Sequence, residues 1–102
     1  MEDHLEKMKK ELENNEAQLL DVREPDEWEE GHLKQARLAP LSLIKESQVP
    51  EEVDKNKKTY LHCRSGRRVL QAEQLLLDMG FQDIVALDEG FDDLVMEGFE
   101  QD

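Results

Sequence analysis

At 102 residues the chain suits one compact domain, residues 1–102, and its single cysteine excludes an internal disulfide framework and a multi-cysteine zinc site. The 26 acidic side chains against 13 basic ones give a formal net charge of −13, which repels nucleic acid and anionic membranes. No apolar run approaches the ~18 residues of a membrane span, and the N-terminus lacks a secretory signal's apolar stretch, so the cytoplasm is the expected setting.

Residues 4–13 (HLEKMKKELE) place Leu5, Met8 and Leu12 at helical spacing among charges, and Asn14-Asn15 closes that helix. Residues 17–22 (AQLLDV) form a short apolar run that reads as a buried strand. Pro25 suits the first turn of a short helix, with Asp26 and Glu27 near its N-terminus and Gly31 at its end. Residues 36–39 predict a further short strand, 41–46 a short helix, and 51–58 (EEVDKNKK) a charged loop. Thr59-Tyr60-Leu61-His62 is β-prone. A helix then runs from about Arg67 to Met79, with Val69, Ala72, Leu76 and Met79 as its inward stripe and Gly80 as its C′ residue. Ile84 to Leu87 is another apolar strand, and a last helix carries Phe91, Leu94 and Val95. Short apolar strands alternating with helices predict an α/β sandwich on a mostly parallel sheet.

In such a sheet ligands bind where strands lead into helices, and Cys63 lies at one of these junctions. The first turn of a helix offers unpaired N–H groups and a partial positive charge. Arg64, Arg67 and Arg68 add three cations within five residues of the thiol, and Gly66 permits a tight turn. The helix N–H groups, the helix-end charge and the arginines favour thiolate, the nucleophilic form. A lone cysteine is more often a small apolar core residue. Here, however, two of the arginines open a helix, where positive charge is unfavourable unless an anion is nearby. Such local conflicts mark functional sites. The basic window in an acidic chain suits a small anionic substrate.

Two blocks resemble the single-domain rhodaneses, the thiosulfate sulfurtransferase family. The first is Leu19-Leu20-Asp21-Val22-Arg23-Glu24-Pro25-Asp26-Glu27-Trp28 with Gly31-His32-Leu33 and Ala36. The second is Cys63–Arg68, followed by Gly80-Phe81 and the Leu87–Phe91 stretch. The resemblance implies a three-layer α/β/α sandwich on a five-stranded, mostly parallel sheet whose first strand is short or absent. It implies Cys63 as the nucleophile taking sulfur from thiosulfate or a persulfide donor. Arg64, Ser65, Gly66, Arg67 and Arg68 then form the cradle for the persulfide, and cyanide or a thiol accepts the sulfur. Neither cofactor nor metal is implied. Asp21 and Arg23 match the family motif and are expected to serve as a structural ion pair or cap. Trp28 and His32 are expected to pack and hydrogen-bond within the scaffold.

The chain departs from the family pattern at Lys34-Gln35-Ala36, where Pro-Gly-Ala is usual, and at Leu94 and Val95, where a tryptophan is usual. Two other readings compete. Cysteine-dependent phosphatases and arsenate reductases resembling rhodaneses have five residues between Cys and a clamping Arg, whereas four separate Cys63 from Arg68. A sulfur carrier or docking module in a relay, with a relay protein as partner, would keep the same cysteine.

Overall fold

A computed structural model of the chain describes residues 3–102. Helix α1 (His4–Glu13) starts where the Asp3 carboxylate accepts the Glu6 N–H at 2.9 Å, and it buries Leu5 and Met8. There follow β1 (Ala17–Asp21), α2 (Pro25–Glu30), β2 (Ala36–Leu38), α3 (Leu41–Ile44), β3 (Lys58–His62), α4 (Arg68–Asp78), β4 (Ile84–Ala86) and α5 (Phe91–Met96). Among the described residues no helix is long and apolar enough to cross a membrane.

All strand pairs are parallel, in the order β2-β1-β3-β4. The described residues thus form four strands, in keeping with an expected five-stranded sheet whose first strand is short or absent. The chain passes from Asp3 directly into α1, and near the C-terminus only an isolated antiparallel bridge, Leu33 to Gln101, is formed. Because side chains alternate across a strand, the paired residues Leu19 and Tyr60 face one layer, and Leu20 and Leu61 the other. The first layer holds Leu5, Met8, Leu33, Leu94 and Phe99; the second holds Val22, Ile44, Val69, Ala72 and Leu76. Helices therefore cover both faces. The β4 residues Ile84, Val85 and Ala86 are only half-buried, because β4 is an edge strand.

Helix α4 buries Val69, Ala72 and Leu76, and burial of the Val69 and Leu76 side chains contributes about 1.5–3 kcal/mol each. It ends where Gly80, at φ +99°, lets the Gly80 N–H reach Leu77 O at 3.0 Å and the Phe81 N–H reach Leu76 O at 3.1 Å. The strand order reverses between β1, whose next strand lies on one side, and β3, whose next strand lies on the other. At that switch point Asp21 pairs in register with His62, so the loops after β1 and β3 flank one crevice.

Candidate functional site

Cys63 is the first residue after β3, and its loop is braced from behind by the segment between β4 and α5. The Phe91 N–H donates to Cys63 O at 2.9 Å. The two loops touch so closely that a Cβ on Gly90 would lie 1.8 Å from Arg64 O. A Cβ on Gly66 would lie 2.6 Å from Asp88 O, and Gly66 also has φ +81°. With that backbone, the Gly66 N–H turns back on the loop and donates to Cys63 Sγ at 3.1 Å. The thiol is fully buried, in the core layer that includes Leu20, Val22, Ile44 and Val69. Arg64, Ser65 and Arg67 are exposed.

Beneath the loop lies a buried polar cluster. The Arg23 guanidinium donates to both carboxylate oxygens of Asp21 at 2.8–3.0 Å, and the Arg23 N–H donates to Asp21 Oδ1 at 2.9 Å. Arg23 also donates to Gly31 O at 2.8 Å and stacks over the Phe91 ring, 4.3 Å from its centroid. His62 is fully buried beside this pair, with Nε2 3.6 Å from Asp21 Oδ2. Burial holds the His62 pKa below the usual histidine value, although Asp21 pulls it the other way. His32 lies outside the cluster. It stacks on Trp28 at 3.6 Å between ring centroids, with Nδ1 2.9 Å from Trp28 O, which ties together the end of α2 and the turn after it.

The three loop arginines are not equivalent. Arg68 makes two hydrogen bonds to the Glu27 carboxylate, at 2.6 and 2.8 Å. The Arg68 bonds hold the Glu27 pKa down to about 2. Glu27 also accepts the Glu24 N–H at 3.0 Å, while the Glu24 carboxylate accepts from Ser42 Oγ at 2.6 Å. This chain of contacts joins α4, α2 and α3. Arg68, expected with Arg64 and Arg67 in the cradle, is engaged with Glu27, whereas Arg64 and Arg67 are the exposed cations of the loop. Beside them, a cleft of about 160 Å³ is lined by Arg23, Glu27, Glu30, Gly31, Arg64, Phe91 and Asp92.

The arrangement offers a thiol with one backbone N–H already directed at it, two exposed cations and a rigid floor. Sequence reasoning named the loop and the Asp21–Arg23 pair, but not the loop's other supports. Glu27 reaches Arg68 across 41 positions, a separation at which no local pattern acts. Gly90 was legible only as a glycine before a helix, and its contact with Arg64 O depends on the tertiary fold. His62 read as one ring side chain of a strand.

The Rhodanese-like domain family model matches residues 4–97. The uncharacterized protein YqhL of Bacillus subtilis is 43% identical over 75 residues, covering 74% of this chain and 58% of YqhL. The chain thus spans little more than half the length of that relative. The thiosulfate sulfurtransferase GlpE of Coxiella burnetii is 32% identical over 74 residues, 72% of this chain and 67% of GlpE. A structure of a rhodanese with anions from E. coli superposes with a TM-score of 0.68 at 27% identity, covering 84% of this chain and 96% of that one.

Proposed function

This chain belongs to the rhodanese-like domain family, and from that premise we propose that it is a thiosulfate sulfurtransferase working through a persulfide on Cys63. The Cys63 thiolate attacks the outer sulfur of thiosulfate. A new S–S bond forms at Cys63, the S–S bond of thiosulfate breaks, and sulfite leaves with the bonding pair. A thiolate or cyanide acceptor then attacks the terminal sulfur and returns Cys63 to thiolate. The observation that carries this reading is the Gly66 N–H donated to Sγ at 3.1 Å from a loop at the switch point of a parallel sheet. A backbone donor in that place stabilises sulfur anions without costing a side chain's freedom.

Arg64 and Arg67, exposed and close in sequence to the thiol, are the groups assigned to guide the anionic donor. Ser65 and Gly66 complete the cradle. Arg68 acts through Glu27 by fixing the start of α4. That pairing also disfavours a phosphatase, in which an arginine at the end of the loop must clamp phosphate. Because Cys63 is fully buried, donor entry requires an outward movement of residues 64–67. A reducing compartment such as the cytoplasm, and a thiol or relay protein as acceptor, belong to the same reading.

The test is thiocyanate formation from thiosulfate and cyanide. The wild-type chain should turn over, and Cys63→Ser should not. Equal rates for the two would overturn the proposal. Sulfur uptake with no turnover to any small acceptor would replace it with the carrier reading.

A further inference from the structure

His62 has no part in the chemistry above, yet its Nδ1 lies 3.3 Å from the Cys63 carbonyl oxygen. We propose that His62 is a positioning residue, whose Nδ1–H donates to the Cys63 carbonyl and so sets the direction of the Arg64 N–H in the sulfur cradle. This rests on the Cys63 reading of the preceding section.

The contacts favour one tautomer. His62 Nδ1 lies 3.3 Å from Cys63 O. A carbonyl oxygen only accepts, so this contact is a bond only when Nδ1 carries the proton. Nε2, buried, has no hydrogen-bond partner among the described residues and lies 3.6 Å from Asp21 Oδ2. Asp21 does not need a proton from the ring, since Arg23 already occupies both of its oxygens at 2.8–3.0 Å. Moving the proton to Nε2 would leave a bare nitrogen against the Cys63 carbonyl. Full protonation is opposed by burial and by the neighbouring Arg23.

The consequence reaches the loop through peptide geometry. Cys63 C=O and Arg64 N–H belong to one planar trans peptide and point in opposite directions. With the carbonyl held by His62 Nδ1 and by the Phe91 N–H at 2.9 Å, the Arg64 N–H is fixed facing away from both. Without the His62 bond, one donor remains, and the peptide gains freedom to rotate. A misdirected amide stabilises no charge, and loss of a preorganised donor costs catalysis far more than it costs folding.

The test uses the full chain and single-turnover sulfur uptake from thiosulfate. In His62→Asn the amide nitrogen occupies the place of Nδ1, whereas in His62→Gln it occupies the place of Nε2. The inference predicts His62→Asn within about threefold of wild type and His62→Gln and His62→Leu slower by about tenfold or more. Equal rates in all three variants, or a His62→Gln faster than His62→Asn, would overturn it. Should the variants fail to fold, or the wild type take up no sulfur, ¹⁵N spectra of the wild-type ring decide. A proton on Nδ1 at neutral pH supports the inference, and a proton on Nε2 overturns it. Absence of uptake in the wild type sinks the sulfurtransferase reading, while the tautomer remains independently measurable.

Discussion

One glycine and one buried ion pair carry the strongest consequences for single residues. Gly66→Ala would place a methyl 2.6 Å from Asp88 O at φ +81°. The left-handed backbone alone costs roughly 1–2 kcal/mol, and the contact is with main chain, which cannot rotate aside. Sulfur uptake by Gly66→Ala should therefore fall by about tenfold or more through loss of the donor to Sγ. Uptake at the wild-type rate would show that the loop conformation is dispensable. Asp21 and Arg23 are both buried, and the Arg23 guanidinium bonds both Asp21 carboxylate oxygens. Asp21→Asn leaves a buried guanidinium without its countercharge and should cost about 3–5 kcal/mol in urea unfolding. The exposed pair Arg37–Glu52, at 3.3 Å, should contribute less than about 1 kcal/mol. Comparable losses from both pairs would contradict the assignment of burial as the cause.

Between elements, the contact that matters most is Glu27 to Arg68, which pins α2 to the first turn of α4. Glu27 has its folded pKa lowered from 4.5 to about 2. The folded state therefore binds this proton less readily than the unfolded one, and the pair's contribution is full above pH 4.5 and fades as pH falls toward 2. The carboxylate is partly solvated, so the contribution is on the order of 1–2 kcal/mol after screening. Unfolding free energies of wild type and Glu27→Gln should differ by that amount at neutral pH and converge on acidification. A gap that stays constant with pH would sink the account. The elements themselves were largely legible in the sequence. The apolar stripe of Val69, Ala72 and Leu76, with Gly80 behind it, marks α4 because both signals are local. What joins the elements was not legible. Glu24 to Ser42, Glu27 to Arg68 and Gly90 to Arg64 O depend on how distant segments meet. For the same reason, three arginines that looked alike in a six-residue window divide into one paired with Glu27 and two exposed. The burial of Cys63 was likewise hidden, since it depends on the core layer under the loop.

The whole molecule measures 36 × 29 × 22 Å and carries a net charge of −13, so an approaching thiosulfate is repelled by the molecule as a whole, and Arg64 and Arg67 are the exposed cations nearest the thiol in sequence. At ~0.01 M salt the screening length is ~30 Å and the entire charge is felt, whereas at ~0.15 M it is ~8 Å and only the loop is. Raising salt between these limits should therefore increase kcat/KM for thiosulfate by about two- to threefold. Arg67→Ala should raise KM at both salt concentrations without changing thermal stability, because its side chain is exposed. A kcat/KM that falls steeply with salt would mean that loop attraction outweighs global repulsion at long range. Beneath these details is one claim: that the buried thiol after β3 holds transferable sulfur. Intact mass after incubation with thiosulfate measures this directly. The account predicts a gain of one sulfur atom, removed by reductant and absent in Cys63→Ser. An unchanged mass in the wild-type chain, or the same gain in Cys63→Ser, would contradict it.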